Sequence, residues 1–427
     1  MKKTVAFYTL GCKLNFSETS TIGRQLSKVG YAKTNFDKKA DLYVINTCSV
    51  TENANKECRR IIRKTKKIAP LSKVIVTGCY AQLKPKEIAS INGVDMVLGA
   101  NEKFNIPDLL KIKSEHKVFN SNLENLDYHS SFSLNDRSRS FLKIQDGCDY
   151  PCTYCTIPLA RGKSRCDTVE NILRNVNEIA ENGIKEIVLT GVNIGEFKDL
   201  NSKESFYDLI VKLEEVKGIE RYRISSIEPN LIKEHIIEFV SKSKKFMPHF
   251  HIPMQSGSDF ILGKMKRRYN TKLYSSKILA ITKAIPDVCI GADVIVGFPG
   301  ETEKEFEKTL NFIKDLPLAY LHVFTYSERE NTAAINFDGG VSKQIRSERS
   351  KMLRILSDKL KRSFYQKYLQ TEQTALFERE NKGGFLFGFT DNYIKVKITF
   401  AEKHIQQKLN INLLSFDSDG NVLSELV

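Results

Sequence analysis

Three closely spaced cysteines constrain this chain more than any other feature of its sequence. Cys148, Cys152 and Cys155 form a C-x3-C-x2-C pattern inside the stretch Phe141–Arg165. Nine cysteines scattered at random over 427 residues would give this spacing in only about 0.004 of chains. Three thiolates so close together can bind one metal centre and leave one of its positions without a protein ligand. The pattern therefore predicts a metal centre rather than three unrelated cysteines in a loop.

The first 115 residues alternate apolar strand patterns with helical patterns, which predicts a parallel sheet covered by helices on both faces. Cys12, Cys48 and Cys79 each follow one of the first three predicted strands. Because the loops beyond the strand C-termini of such a sheet form one crevice, we expect these cysteines to lie together. The alternative is three small buried apolar side chains, which is common for cysteine. Three further cysteines fall outside both sets and are expected to be ordinary thiols: Cys58, Cys166 and Cys289.

A second alternation of strands and helices begins after residues 116–140, a polar stretch rich in Asn and Ser that predicts a linker. Six strands are predicted in this second run: Phe141–Gln145, Lys185–Thr190, Arg221–Ser226, His249–Met254, Ile290–Val296 and Tyr320–Phe324. Six β/α units are too few for a closed eight-stranded barrel and predict a partial (β/α)6 barrel with its chemistry where the strands end. Cys148 comes just past the first of these strands, so the metal centre is expected at that mouth.

The last segment, Thr371–Val427, predicts a small antiparallel β-barrel, a fold often used to hold RNA. A long charged helix, Ser342–Gln370, is expected to lead into it. The predicted organisation is therefore α/β, with an N-terminal domain (1–115), a linker (116–140), a central domain (141–365) and a C-terminal domain (366–427).

The charge balance of the chain indicates a polyanionic partner. The formal net charge is +15, which suits nucleic acid or an anionic membrane surface, although solvated lysines give the same count. No segment has the roughly eighteen uncharged apolar residues of a spanning helix, and the apolar run Val5–Leu10 is short for a signal peptide. We therefore expect a cytoplasmic protein, in which cysteines are more often metal ligands than disulfides.

The C-x3-C-x2-C pattern after a barrel strand resembles the radical S-adenosylmethionine (SAM) superfamily. The resemblance implies a [4Fe–4S] cluster on Cys148, Cys152 and Cys155, whose open iron site chelates SAM. It also implies that one electron from the cluster cleaves SAM to a 5′-deoxyadenosyl radical, chemistry that the cofactor supplies. Tyr154 matches the aromatic position of that family and is expected against the adenine.

Polar and glycine residues at successive strand ends predict a SAM pocket in the same domain. The cofactor-binding candidates are Gly191, Asn193, Ser226, Glu228, Gln255 and Asp293. A glycine at a strand end is more often a turn residue, so each position alone is a weak signal. Arg161 is a further candidate near the cluster, where a guanidinium could bind a carboxylate through two hydrogen bonds. A salt bridge within its loop is the competing interpretation.

The full order of domains resembles the radical SAM methylthiotransferases. The motifs TLGCKLN, INTCSV and VTGCYAQ match the N-terminal signatures of that family, KIQDGCDYPCTYC and IPLARG match the central one, and VIVGFPGETEKEF and GFTDNYIKV match later ones. The resemblance implies a second [4Fe–4S] cluster on Cys12, Cys48 and Cys79 and a TRAM-like terminal barrel. One SAM would methylate a sulfur at that second cluster, and another would supply the radical that removes hydrogen from the substrate carbon.

The substrate implied by the resemblance is an adenosine beside the anticodon of tRNA, modified at C2. Bacterial members act on N6-threonylcarbamoyladenosine, on N6-isopentenyladenosine, or on an aspartate of a ribosomal protein. GCKLN and FLKIQDGC are most similar to the threonylcarbamoyladenosine group, whereas the isopentenyladenosine group usually reads GCQMN. A competing hypothesis is a non-catalytic Fe–S protein that binds RNA or senses redox state.

Basic residues in two parts of the chain are candidates for contact with RNA. The RNA-contact candidates are Lys266, Arg267, Arg268, Lys395 and Lys397, with a solvated surface as the competing interpretation. The H-x-H pair His249 and His251 is expected to line the pocket rather than to bind a metal. The resemblance implies tRNA as substrate and an electron donor such as a flavodoxin or ferredoxin. The sequence does not identify the source of the sulfur.

Overall fold

A parallel sheet of six strands organises the N-terminal part of the chain. The computed structural model describes residues 2–112, 117–134 and 138–427, all but the side chain of Asn125. The elements of this part are β1 (Thr4–Thr9), α1 (Lys13–Lys28), β2 (Ala32–Thr34), β3 (Leu42–Thr47), α2 (Glu52–Ile68), β4 (Lys73–Gly78), α3 (Cys79–Leu83), α4 (Pro85–Ala89), β5 (Met96–Leu98), α5 (Ile106–Leu109) and β6 (Val118–Phe119). The strands lie in the order β2-β1-β3-β4-β5-β6, and every pair is parallel.

Helices cover both faces of this sheet, as predicted. All six residues of the central strand β3 are buried, which is typical of a parallel strand packed on two sides. Val44 packs with Leu26 of α1, whereas its neighbour Ile45 packs with Ile61 and Ile62 of α2 on the other face. Strands β2 and β6 were not predicted because, with three and two residues, they are too short to show periodicity.

The central part contains the predicted six parallel strands. Its elements are β7 (Ser131–Phe132), β8 (Arg139–Lys143), β9 (Gln145–Asp146), α6 (Ile157–Arg161), β10 (Arg165–Cys166), α7 (Val169–Glu181), β11 (Glu186–Thr190), α8 (Phe206–Glu215), β12 (Arg221–Ile224), α9 (Glu234–Lys242), β13 (His249–His251), α10 (Asp259–Lys264), α11 (Thr271–Ala284), β14 (Cys289–Val296), α12 (Glu303–Lys314), β15 (Tyr320–Thr325) and α13 (Lys343–Gln366). Strands β8, β11 and β12 pair in parallel, as do β13, β14 and β15. Parallel bridges Tyr222↔Phe246 and Ser226↔His251 join the two halves, so the prediction of a partial (β/α)6 barrel is confirmed.

The two faces of the barrel strands have different chemistry. On one face, residues such as Leu142, Ile187 and Ile290 form the main apolar core with the surrounding helices. Because side chains alternate along a strand, the other face carries residues such as Arg223 and His251. The barrel interior is therefore polar and charged, whereas the apolar core lies between the strands and the helices.

A closed barrel of five strands ends the chain. It consists of β16 (Glu372–Lys382), β17 (Phe385–Thr390), β18 (Lys395–Thr399), β19 (Lys408–Phe416) and β20 (Val422–Leu426). The strand order is β16-β17-β18-β20-β19, and the pairs are antiparallel except β18–β20, which is parallel. The prediction of a small antiparallel β-barrel is confirmed, with this one parallel pair in addition. Arg221 and Arg223 of β12 donate hydrogen bonds to carbonyls of this barrel, those of Thr374, Phe389, Thr390 and Asp391.

The stretch predicted as a linker contributes to both neighbouring sheets. Val118–Phe119 adds β6 to the N-terminal sheet, and Ser131–Phe132 pairs antiparallel with β8 of the barrel. The predicted boundary between residues 115 and 116 and the segment 135–137 lie outside the described residues, and the division into domains stays a prediction. Among the described helices, none is both long and apolar enough to cross a membrane.

Candidate active site

The central triad, Cys148, Cys152 and Cys155, lies in the loop between β9 and α6, beyond the end of β8. The backbone N–H of Tyr150 donates to Cys148 Sγ at 3.4 Å. The backbone N–H of Ile157 donates to Cys155 Sγ at the same distance, 3.4 Å. Nitrogen donors stabilise the negative charge of sulfur, so the loop is shaped to hold thiolates.

Burial controls the acidity of these cysteines. It raises the pKa of all three thiols, that of Cys155 to about 12. A buried thiol becomes a ligand when a metal takes the place of its proton, so metal binding here releases protons.

A cavity of about 290 Å³ adjoins the central triad, and we call it the cofactor cavity. Most of the predicted SAM-binding residues line it: Tyr154, Asn193, Ser226, Glu228, Gln255 and Asp293. Val50 and Thr51, which follow Cys48 in the chain, form another part of its wall. The N-terminal sheet therefore contributes directly to the cavity that contains the central triad.

Several polar groups of the cofactor cavity are placed for a ligand. Asn193 is 3% exposed, and its Nδ2 has no hydrogen-bond partner among the described residues. Gln255 has a left-handed backbone with φ of +61°, a strained conformation for a residue with a side chain. An unsatisfied buried amide and local strain at one cavity are typical of a binding site.

Asp293 is held between two histidines. Its Oδ1 lies 3.1 Å from His251 Nε2 and 3.2 Å from His322 Nδ1. Ser226 Oγ fixes the other nitrogen of His251, Nδ1, at 2.7 Å. Burial alone would raise the pKa of Asp293, but the two histidines hold it below its usual value. The H-x-H motif thus lines the barrel interior, with His251 next to a cavity carboxylate.

Arg267 was expected to contact RNA, and the structure corrects this prediction. Its side chain is only 4% exposed and forms a salt bridge with Glu228. Its guanidinium donates to Cys152 Sγ at 3.0 Å and to Tyr154 Oη at 3.4 Å. Burial raises the pKa of Glu228, and Arg267 opposes that shift. Arg267 therefore contacts the central triad and is not available at the surface for RNA.

Gly191 lies behind the wall of the cofactor cavity rather than in its lining. A Cβ at this position would lie 2.8 Å from Gln145 Oε1 and 2.8 Å from Ile194 Cγ2. Gln145 Oε1 accepts the backbone N–H groups of Val192 and Asn193 at 2.8 and 3.0 Å. Gly191 thus allows the loop that carries Asn193 to close against β9, a packing role rather than the predicted direct contact.

The N-terminal triad, Cys12, Cys48 and Cys79, lies at one edge of the first sheet. Cys12 is the N-cap of α1, Cys48 follows β3, and Cys79 begins α3 immediately after β4. Because β1, β3 and β4 are neighbours, their three loops meet at the same edge. Gly11 has φ of +96°, and a Cβ there would lie 2.9 Å from Cys48 Sγ. Burial, followed by the neighbouring Cys79, raises the pKa of Cys48 to about 12.

Arg161 lies in a buried charge cluster rather than in the cofactor cavity. The cluster consists of Arg161, Glu18, Asp146, Lys103 and Lys143. Arg161 donates to both carboxylate oxygens of Glu18, at 3.1 and 3.4 Å, and to Asp146 at 2.8 Å. The Arg161 guanidinium also opposes the rise that burial causes in the pKa of Cys79. The predicted bidentate contact of Arg161 with a carboxylate is present. Its partner is Glu18 of α1, so the contact joins the central part of the chain to the N-terminal part.

A second cavity, of about 320 Å³, lies between the N-terminal triad and the barrel, and we call it the lateral cavity. Its described lining is Thr9, Gly11, Cys12, Lys13, Phe16, Arg139, Phe141, Val188, Arg223, Ile224, His249 and Tyr393. All three parts of the chain therefore meet around Cys12. Lys13 and Arg139 were not predicted, because each is a single charge whose position inside the barrel depends on contacts distant in sequence.

Of the other RNA-contact candidates, two are exposed and two, Lys395 and Lys397, are half-buried. Lys266 and Arg268 are exposed beside the mouth of the barrel, and Arg268 stacks over the Tyr150 ring at 4.0 Å. Lys395 places its ammonium 4.8 Å from the centre of the Phe387 ring. Lys397 instead forms a salt bridge with Asp417 at 2.7 Å, so its charge is already neutralised. The outer face of the C-terminal barrel thus combines aromatic rings with a lysine.

Both triads fit [4Fe–4S] clusters by their donor chemistry. Each offers three cysteine sulfurs and leaves a fourth position open, and the central triad adds nitrogen donors to its sulfurs. The unpartnered Asn193 amide and the carboxylates of Glu228 and Asp293 give the adjoining cavity groups that can bind a polar ligand such as SAM. Cys58 and Cys289 are buried and Cys166 is half-buried, outside both sets, in keeping with ordinary thiols.

Comparisons with known proteins agree with this arrangement. Residues 4–99 match the "Uncharacterized protein family UPF0004", and residues 142–313 match the "Radical SAM superfamily". The chain is 38% identical to the threonylcarbamoyladenosine tRNA methylthiotransferase MtaB of Bacillus subtilis, over 96% of this chain and 94% of that protein. It is 31% identical to the tRNA-2-methylthio-N(6)-dimethylallyladenosine synthase of Thermodesulfovibrio yellowstonii, over 93% of each chain.

A solved structure confirms the fold. The radical S-adenosylmethionine methyltransferase TsrM of Kitasatospora setae, which holds cobalamin and a [4Fe–4S] cluster, superposes with a TM-score of 0.58. The superposition covers 78% of this chain and 77% of TsrM at 12% identity, so it bears on the fold alone. With two cysteine triads around one barrel and relatives that match along nearly its full length, the chain belongs to the radical SAM methylthiotransferase family.

Proposed function

We propose that this protein methylthiolates C2 of N6-threonylcarbamoyladenosine next to the anticodon of tRNA. The observation that carries the proposal is the meeting of the two triads at one barrel. Val50 and Thr51, from the loop after Cys48, line the cavity of the central triad, and Cys12 lines the lateral cavity beside them. A base in the barrel interior would thus have a sulfur-carrying site on one side and the SAM site on the other.

The cofactors of the family are two [4Fe–4S] clusters and SAM. When bound, they supply the radical that removes hydrogen from the substrate carbon and the methylated sulfur that replaces it. In this chain Cys148, Cys152 and Cys155 would hold the first cluster, and Cys12, Cys48 and Cys79 the second. Val50 and Thr51 of the N-terminal part form one section of the wall of the cofactor cavity, which would limit the access of bulk water to the radical.

Side chains of the cofactor cavity have assignable roles toward SAM. Asn193 and Glu228 offer an amide and a carboxylate that can orient its amino and carboxylate groups. Tyr154 presents a ring beside the triad, as expected for contact with the adenine. Ser226 holds His251, which in turn holds Asp293 in its ionised form. Arg267 positions the triad by its hydrogen bond to Cys152 Sγ.

The surface supports an RNA substrate. The chain carries a net charge of +15, and six basic residues line one groove on α2: Lys56, Arg59, Arg60, Arg63, Lys64 and Lys67. Lys395 with Phe387 on the C-terminal barrel offers a cation and an aromatic ring, the pair that binds exposed bases and phosphates. We assign these faces and the loop of Lys266 and Arg268 to tRNA, and place the reaction in the cytoplasm with a flavodoxin or ferredoxin as electron donor.

The choice of substrate is supported by similarity. Identity to the threonylcarbamoyladenosine enzyme is 38%, against 31% for the dimethylallyladenosine enzyme. Nucleoside analysis of tRNA from a deletion strain tests the assignment. We expect loss of 2-methylthio-N6-threonylcarbamoyladenosine, restored by the wild-type gene and not by Cys148→Ala. Loss of the isopentenyl form alone would refute the proposed substrate.

A non-catalytic Fe–S protein is the competing class, and a separate assay distinguishes it. The purified protein, reconstituted without oxygen and supplied with reductant, should release 5′-deoxyadenosine from SAM. A protein that binds tRNA but releases none would be a binding protein rather than an enzyme.

A further inference from the structure

The lateral cavity is positively charged and has no acidic side chain in its described lining. Three of its lining residues are cations, Lys13, Arg139 and Arg223. Removing a charged side chain from water costs free energy unless an opposite charge pairs with it. The cavity is therefore built to receive an anion.

Lys13 is the least satisfied of these cations. Its side chain is exposed, yet the surface it exposes lies in the lateral cavity, between the barrel and α1. Among the described residues, its ammonium has neither a hydrogen bond nor an ion pair. Lys13 directly follows Cys12, so its charge lies beside the N-terminal triad.

Arg139 lines the same cavity, and nearby carboxylates neutralise its charge only in part. Its guanidinium is 3.6 Å from Glu186 and 3.6 Å from Glu378. Glu186 is shared, because it also pairs with Arg223 at 3.0 Å and lies 3.7 Å from Arg221. Arg221 has its own partner in Asp391 at 2.6 Å, whereas both carboxylates near Arg139 lie at 3.6 Å, beyond hydrogen-bond distance. Arg139 therefore keeps N–H donors for a ligand.

A third polar group completes the cavity. His249 is 6% exposed and its Nδ1 has no hydrogen-bond partner among the described residues, while its Nε2 lies 2.9 Å from Tyr320 Oη. A buried unpartnered ring nitrogen beside two cations indicates a polar ligand rather than an apolar one.

We propose that Lys13 and Arg139 bind the carboxylate of the N6 substituent of the substrate, and that His249 contacts a polar atom of the same group. The proposal rests on the proposed function and deepens it. In adenine, C2 and C6 are both bonded to N1, so a substituent on N6 lies along the same edge of the base as C2. With C2 turned toward Cys12, a threonyl carboxylate therefore reaches the cations of the lateral cavity, whereas an isopentenyl group would leave them unpaired.

The test is a binding measurement on the reconstituted holoenzyme. The probes are anticodon stem-loop RNAs that carry N6-threonylcarbamoyladenosine, its carboxamide analogue, N6-isopentenyladenosine or unmodified adenosine. For the wild type we expect the carboxylate RNA to bind about 10- to 100-fold more tightly than the carboxamide, the range for a charged hydrogen-bonded pair. Lys13→Gln should remove most of this ratio while its affinity for the adenosine RNA stays within about 2-fold.

Two further variants keep the test decisive. Arg139→Lys retains a charge in the cavity if Arg139→Gln fails to fold, and it should lower the carboxylate preference partially. Lys395→Gln, on the C-terminal barrel, should weaken all four RNAs equally and leave the ratio unchanged. An undiminished carboxylate preference in Lys13→Gln and in the Arg139 variant that folds would overturn the inference.

Failure of this inference is distinguishable from failure of the proposed function. If the deletion strain lacks 2-methylthio-N6-threonylcarbamoyladenosine but the cavity variants keep the carboxylate preference, the enzyme has the proposed substrate and reads it elsewhere. If the wild type binds the isopentenyladenosine RNA most tightly, both the substrate and this inference are wrong.

Discussion

Arg267 donates a hydrogen bond to Cys152 Sγ at 3.0 Å while Glu228 holds the other side of its guanidinium. The two contacts place a positive charge against one sulfur of the central triad. A donor to a cluster sulfur favours the reduced cluster, because reduction adds negative charge.

Arg267→Gln should therefore lower the reduction potential of the cluster on the central triad without removing its iron. EPR-monitored redox titration of the reconstituted protein measures the change. Because the substitution leaves Glu228 buried without a partner, Arg267→Gln with Glu228→Gln separates the two effects. The neighbouring Arg268→Gln, which has no contact with a sulfur among the described residues, should leave the potential unchanged. A potential equal to the wild type in both Arg267 variants would contradict the assignment.

The two triads should be separable by iron content and by reaction. We expect about eight irons in the reconstituted wild type and about four in either Cys12→Ala or Cys148→Ala. Cys12→Ala should still cleave SAM to 5′-deoxyadenosine but should not methylthiolate tRNA, whereas Cys148→Ala should do neither. Equal loss of both reactions in Cys12→Ala would argue against separate sites.

Gly11→Ala should damage the N-terminal site selectively. A Cβ there would lie 2.8 Å from Cys48 Cβ and 2.9 Å from its Sγ, closer than real atoms pack. Gly30→Ala is the matched control, because Gly30 has φ of +95° against +96° for Gly11 and no atom of the described residues lies within 4 Å of its Cβ position. Both variants strain the backbone, but only Gly11→Ala should lose about four irons. Iron analysis and SAM cleavage report the difference.

The buried charge cluster should make the free energy of unfolding decrease as the pH is lowered. Burial raises the pKa of Glu18, but Arg161, Lys103 and Lys143 outweigh it and hold the pKa below its usual 4.5. The stabilisation of the folded state by ionised Glu18 is therefore complete above about pH 4.5. It is lost as the pH falls toward the lower pKa that Glu18 has in the folded protein. Urea unfolding between pH 7 and pH 3 measures the loss.

Removal of the same carboxylate should be costly at neutral pH. Glu18→Gln leaves Arg161, Lys103 and Lys143 short of a partner, and we expect a loss of about 3–5 kcal/mol. The pH dependence should also become shallower. Asp108→Asn, which removes an exposed ion pair with Lys111, should cost less than about 1 kcal/mol. An equal loss of unfolding free energy in Glu18→Gln and Asp108→Asn would show that the buried charge cluster does not stabilise the contact between the N-terminal sheet and the barrel.

Two lysines on the same face of β18, separated by Val396, should differ in RNA binding. Lys395 is free of a salt bridge among the described residues, whereas Lys397 is paired with Asp417 at 2.7 Å. Lys395→Gln should weaken tRNA binding. It should also reduce the slope of the logarithm of the binding constant against the logarithm of the salt concentration by about 1. Lys397→Gln should change that slope less. Fluorescence anisotropy across a salt series measures both, and a larger effect of Lys397→Gln would reverse the assignment.

The sequence was sufficient where the chemistry is local. The spacing of Cys148, Cys152 and Cys155 and the position of Cys12 after a strand both depend on neighbours in the chain, and the structure shows both where they were predicted. The six barrel strands were likewise visible as apolar runs between helical patterns.

What could not be predicted depends on contacts between distant residues. Arg267 belongs to a basic run that reads as a surface, and only its contact with Glu228, 39 residues away, reveals that it is buried. Lys13 and Arg139 look like ordinary surface charges until the N-terminal sheet is placed against the barrel. The parallel β18–β20 pair is also invisible to local patterns, because strand direction in a barrel is set by topology.

The stretch 117–134 has a consequence for how the substrate must behave. It supplies one strand to the N-terminal sheet and one to the barrel, and buried salt bridges from Glu18 of α1 to Lys143 and Arg161 join the same two parts. Moving the two cysteine triads apart would leave these buried charges without partners, which is costly. Under the proposed function, the anticodon loop therefore unstacks the base and brings it to the triads, and the energy of that distortion comes from RNA contacts made outside the barrel.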